Sequence, residues 1–124
     1  IGIVVKDIKK ISSVLNNKYT IGPWRFYKYK FSDYSFDDAI CKIGGVELRL
    51  VEPNDDNSIF AKHLSKFGEG LHHVCFSVSN LNDTINTIEK SGKKIIQIDL
   101  YAGEKRVYFS AVDDLKFTIC IFES

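Results

Sequence analysis

Apolar and polar positions change period several times along this 124-residue chain. The opening "IGIVV" alternates Ile1, Ile3 and Val5 against Gly2 and Val4, the period-two signature of a strand. The period then lengthens. Ile8, Ile11 and Leu15 form a helical stripe, and Asp7 stands where an N-cap side chain accepts from orphan backbone N–H groups. The same order returns after a constant offset of 73 residues. Ile1 aligns with Val74, Val5 with Val78, Asp7 with Asn80, Ile8 with Leu81 and Leu15 with Ile88. The second stripe is Leu81, Ile85 and Ile88, and Gly92 is placed to end that helix.

Three strand-like runs follow each predicted helix. In the first half they are roughly Arg25–Phe31, Phe36–Ile43 and Val46–Glu52, with Gly44-Gly45 as a two-residue hairpin turn. In the second half they are roughly Lys94–Leu100, Lys105–Ala111 and Lys116–Glu123. Each half reads β-α-β-β-β. The halves are joined by "NSIFAKHLSKFGEG", which predicts one more helix over about 58–67, capped by Ser58, striped by Phe60, Leu64 and Phe67 and stopped by Gly68. His63 on this helix reads as a solvated surface residue. The expected architecture is one α+β domain over 1–124. Its two modules, about 1–53 and about 71–124, would form a curved mixed sheet around a cleft, with the helices on the outer face.

The stretch "GEGLHHVCFSV" places two histidines side by side in a strand, so they must point to opposite faces. One face carries His73, Cys75 and Ser77, small and polar. The other carries His72, Val74, Phe76 and Val78, with His72 at the strand edge. The split recurs. Val46, Leu48 and Leu50 oppose Glu47 and Arg49, and Phe117, Ile119 and Ile121 oppose Thr118 and Cys120. One face therefore packs on helices, and the other gathers Glu47, Arg49, His73, Cys75, Thr118 and Cys120 as a polar cleft. On pattern alone, a strand histidine is more often a hydrogen-bonded structural residue than a ligand. Glu47 and Arg49 read equally as an ion pair or a solvated face. Cys75 reads first as packing.

Composition narrows the classes. A formal net charge of +1 gives no basic excess of the kind nucleic-acid binders carry. No apolar run approaches the roughly 20 residues that span a bilayer. Three cysteines, Cys41, Cys75 and Cys120, cannot all pair within the chain, which predicts free thiols and a cytoplasmic location. The chain contains no methionine, so the true start is expected to precede Ile1.

With "IGIVVKDI", "GPWRFY" and "VELRLVEP…SIFAKHLSKFGEGLHHVCFSVSNL" in view, the sequence resembles the vicinal oxygen chelate superfamily, the glyoxalase/bleomycin-resistance/dioxygenase group. It is particularly similar to the methylmalonyl-CoA epimerase and lactoylglutathione-lyase-like branch. The resemblance implies a homodimer and a single divalent ion (Zn, Ni, Co, Mn or Mg) held by four cleft ligands. His73 matches one ligand, and the residue before Ile1, where relatives read "HIGI", matches another. Counting back from Pro53 and Glu123, the remaining two positions fall on Arg49 and Cys120. Arginine cannot coordinate a cation, whereas cysteine binds zinc as a thiolate. Glu47, on the same face as Arg49, is the substitute ligand. The expected metal set is thus His73, Glu47 and Cys120.

The implied chemistry is lyase or isomerase α-proton transfer on a small carbonyl or thioester compound, such as a CoA thioester or a glutathione hemithioacetal. In a metal-free variant, Arg49 would face the oxyanion and Glu47 would act as base. The alternative is a non-catalytic protein that sequesters a small molecule in the same cleft. There Trp24, Phe26 and Tyr29 would stack on the ligand, or would be plain core. Arg25, Lys28, Lys30 and Arg106 would attract its anionic groups.

Overall fold

The computed structural model describes residues 1–101, 103–111 and 115–124. The chain divides into two compact units, Ile1–His72 and His73–Ser124. In the first, β1 (Gly2–Val4), α1 (Ile8–Tyr19), β2 (Arg25–Lys30), β3 (Ser35–Ile43) and β4 (Val46–Pro53) precede α2 (Ile59–Phe67). β5 (Gly70–Val78) carries the boundary between units. In the second unit it is followed by α3 (Leu81–Lys90), β6 (Ile95–Tyr101), β7 (Glu104–Phe109) and β8 (Thr118–Glu123). The α+β class and the paired β-α-β-β-β modules expected from the sequence are both present.

The strand orders are β2-β3-β4-β1 and β5-β8-β7-β6. β1 runs parallel to β4, and β5 runs parallel to β8, while the other pairs in each unit are antiparallel. Two parallel neighbours cannot share a tight turn, so each module needs its helix as part of the connection. α1 covers a core of Val5, Ile8, Ala39 and Leu50, with Ile3, Ile11, Leu15 and Trp24 packed around it. α3 covers Leu81, Val107, Phe109 and Ile121, with Ile85 and Ile88 of the expected stripe beside them.

The helix starts are built twice in the same way. Asp7 accepts from Lys10 N at 3.1 Å, and Asn80 accepts from Asp83 N at 3.0 Å. A glutamate from the parallel strand then takes the first helical N–H. Glu52 accepts from Ile8 N at 3.0 Å, and Glu123 accepts from Leu81 N at 2.9 Å. Negative charge at a helix N-terminus also suits the helix dipole. Helix and sheet are therefore joined by charge-assisted bonds as well as by apolar burial.

Gly92 ends the second-module helix as expected: it follows the capping residue Ser91 at φ +97°, a backbone state that glycine adopts without strain. Two local expectations shift. Val46, expected inside, is 47% exposed beside the Gly44-Gly45 turn. Phe76, also expected inside, is 52% exposed, because the α3 stripe packs on β7 and β8 and takes only Val78 from β5.

Replacing Glu52 or Glu123 by alanine should lower stability by about 1–2 kcal/mol each, as loss of a helix cap typically does. Chemical denaturation of the two single variants measures this. An unchanged midpoint would show that water replaces the carboxylate without cost.

Candidate functional site

In the first unit, the face turned away from α1 carries Phe36, Asp38 and Ile40 from β3 and Arg49 and Glu47 from β4, by the antiparallel register that sets Ile40 against Arg49 and Lys42 against Glu47. Arg49 is 2% exposed. Its Nε donates to Asp38 Oδ2 at 2.6 Å, and Asp38 is equally buried. The guanidinium carbon lies 5.3 Å from the ring centres of both Phe36 and Phe60, so two aromatic faces wall the charge. The Arg49 side chain is thus fixed in a buried ion pair.

Glu47 stands two residues earlier in a different setting. It lines a shallow pocket of about 360 Å³ with Pro23, Arg25, Tyr27, Ile40 and Lys42. Asp38 escaped the sequence reading, although period two in "FDDAI" sets it on one face with Phe36 and Ile40. Of the aromatics expected near a ligand, Trp24 belongs to the α1 core and donates its Nε1–H to Ile21 O at 2.8 Å. Tyr29 packs on Phe36 with ring centres 5.4 Å apart. Phe26 is half exposed.

His72 does not cap a strand edge. It is 2% exposed, edge-on to Phe60 at 5.0 Å and to His63 at 4.9 Å. His63 is not a solvated residue either: it is half-buried and lies 4.9 Å from the Phe67 ring. The signal was present, since His63 falls three residues after Phe60 and four before Phe67, on the apolar stripe of α2, of which Phe60 is buried and Phe67 is 47% exposed. Burial, then the nearby His63 and Arg49, hold the His72 pKa down at about 3, against an opposing hydrogen bond with the Ile59 backbone. His63 is also lowered by burial.

In the second unit, His73 is 1% exposed and stands edge-on to the buried Tyr108 at 5.2 Å. The parallel register sets His73 against Thr118 and Cys75 against Cys120, and Tyr108 pairs with Cys120 from the other side. His73, Cys75, Tyr108, Thr118 and Cys120 therefore share one face. β6 extends it with Gln97 and Asp99, both buried, where Gln97 Nε2 donates to both Asp99 carboxylate oxygens at 3.2 Å. These residues were missed. Their signal is "IIQIDL", where the polar members of a period-two pattern go inward and Ile98 and Leu100 are 45% and 65% exposed.

Two of the positions that the resemblance assigns to metal ligands hold other chemistry. Position 49 holds a permanent cation already committed to Asp38, and position 120 offers a thiol at 0% exposure where a carboxylate is expected. Among the described residues no three His, Cys, Asp or Glu side chains gather as a metal-holding group.

Two consequences are measurable. Arg49→Met strands a buried carboxylate and should cost about 3–5 kcal/mol, much of it restored in the Arg49→Met/Asp38→Leu double variant; equilibrium unfolding of the four-member cycle reads this. His72 gains its proton near pH 6.5 when unfolded and only near 3 when folded. The unfolded chain binds the extra proton in between, so the contribution of His72 is complete above pH 6.5 and is lost as pH falls toward 3. His72→Phe should flatten the decline in unfolding free energy by up to about 1.4 kcal/mol per pH unit between pH 6 and 4. An identical slope in both proteins would mean that His72 does not drive it.

The sequence model of the Glyoxalase/Bleomycin resistance protein/Dioxygenase superfamily matches residues 1–109. The protein YqjC of Bacillus subtilis (strain 168) is 28% identical over 96 residues, 77% of this chain and 67% of that protein. Among solved structures, hypothetical protein BH1468 of Bacillus halodurans C-125 superposes with a TM-score of 0.79 at 22% identity, covering 100% of this chain and 91% of that one. A variant of Streptomyces coelicolor methylmalonyl-CoA epimerase in complex with 2-nitronate-propionyl-CoA gives 0.81 at 21% identity, over 100% and 94%. Methylmalonyl-CoA epimerase from Mycobacterium tuberculosis gives 0.78 at 19%, over 98% and 83%. The duplicated modules and the extent of the family match assign this chain to the glyoxalase/bleomycin resistance protein/dioxygenase superfamily.

Proposed function

We propose that this protein binds a small carbonyl or thioester compound without a resident divalent ion and without turning it over. The observation that carries this reading is the Arg49–Asp38 pair. A buried guanidinium holds the position where the resemblance places a metal-binding carboxylate or amide, and its charge is already balanced within the module. A ligand with its own anionic groups suits Arg25, which is exposed and lines the pocket with Glu47, whereas Lys28 and Lys30 lie on the opposite face of β2. The epimerase structures similar in fold hold acyl-CoA compounds, which makes a CoA thioester the first ligand to try.

Glu47 favours a second reading. It is half-buried, shares its sheet face with Arg49 and lines a pocket with Tyr27, as a proton-transfer base would need to. In that case Glu47 moves the α-proton and a positive side chain faces the oxygen that gains charge.

Equilibrium dialysis against methylmalonyl-CoA, with and without a chelator, is expected to give equal binding, with no hydrogen–deuterium exchange at the α-carbon. Elemental analysis showing about one metal per chain, with binding lost on chelation, would overturn the metal-free proposal. Exchange that persists with chelator and disappears in Glu47→Gln would replace it with the proton-transfer reading.

A further inference from the structure

We propose that Cys75 and Cys120 are a paired thiol site that closes to a reversible disulfide on meeting a peroxide. The two residues are direct cross-strand partners in the parallel β5–β8 ladder. Adjacent strands lie about 4.8 Å apart, and disulfides join Cα atoms about 4.4–6.8 Å apart. Because they are register partners, both side chains leave the sheet on the same face, the face that also holds His73 and Tyr108.

The two cysteines differ in access, and the difference assigns their roles. Cys75 is half-buried and within reach of a small oxidant, whereas Cys120 is completely buried and is reached only through its neighbour. Cys75 gives up its proton, and the thiolate attacks one peroxide oxygen; the O–O bond breaks, and the departing hydroxide takes that proton and leaves as water as the sulfenic acid forms. The Cys120 sulfur then attacks the Cys75 sulfur. The S–O bond breaks, and the departing hydroxide takes the Cys120 proton as a second water. Two thiols lose two electrons and two protons, and one hydrogen peroxide becomes two waters. Cys41, buried in the other module on β3, is an internal control, since it has no cysteine opposite it: its register partner is Leu48.

Closure would withdraw the Cys120 thiol from the polar face of the second module and tie β5 to β8 covalently. The site is independent of the ligand reading above, because it rests only on strand register and access.

The full chain is treated with stoichiometric hydrogen peroxide, the remaining thiols are alkylated, and intact mass and a non-reducing peptide map are recorded. The expected result is loss of two hydrogens, one alkylated cysteine at Cys41, a cross-linked peptide pair joining Cys75 and Cys120, and full reversal by dithiothreitol. Cys120→Ser should convert the loss into oxygen addition at Cys75, and Cys75→Ser should leave Cys120 unoxidised. In the wild-type chain, three alkylated thiols, separate oxygen addition without a cross-link, or a link to Cys41 would each overturn the proposal. The wild-type map decides even where a serine variant does not fold.

Discussion

A guanidinium without water around it must be met by a carboxylate, and most of what is distinctive in the first module follows from that requirement. Arg49 and Asp38 are both about fully buried and joined at 2.6 Å. Removing two charges from water costs several kcal/mol each, which a close pair offsets only when the geometry is tight. The aromatic walls supply part of the remainder: Phe36 and Phe60 present their rings to the cation, and Phe60 belongs to α2. The helix between the modules is therefore held against the sheet by a charge as well as by apolar contact. The same cation adds, after burial and the nearby His63, to what holds the His72 pKa down.

The duplication makes the asymmetry between the modules informative. Both copies share the parallel strand pair, the Asx cap and the glutamate at the first helical N–H. Those features are what the modules need in order to fold, and they have been kept in both. The faces turned away from α1 and α3 differ. One is organised around a full ion pair. The other is built from a histidine, a tyrosine, two thiols and an amide–carboxylate contact. Divergence is concentrated where the backbone does not dictate the residue, which is where ligand chemistry is set.

The fold was legible because its signals are local and repeated. Asp7, Asn80 and Ser58 each mark a helix start by one short hydrogen bond, and the three bonds form as expected. The histidine alternation was legible for the same reason: His72 and His73 meet different neighbours, Phe60 and His63 for one, Tyr108 for the other. What went unread were three strand residues on faces whose cover the sequence does not reveal. Asp38, Gln97 and Asp99 are buried polar residues whose partners lie on the same face, either across the hairpin from β3 to β4 or two residues along β6. Period two gives the face but not the cover over it. His63 failed differently, because a stripe position was discounted for being polar although a neutral imidazole packs well edge-on against a ring.

Whether an arginine can stand in for a metal depends on what else binds its charge. A divalent ion in an open site keeps a coordination position for substrate and acts on it as a Lewis acid. A guanidinium offers five donors in a fixed plane and keeps its proton across the whole physiological range, so it can stabilise a developing oxyanion only with donors that are not already engaged. Asp38 engages Nε of Arg49, and the ring centres of Phe36 and Phe60 each lie 5.3 Å from the guanidinium carbon. A carboxylate this close cancels part of the cation's field at a bound substrate. That cancellation is the physical reason to favour binding over turnover. On the proposed reading, catalysis through Arg49 would need the guanidinium to be held less tightly than the pair with Asp38 holds it.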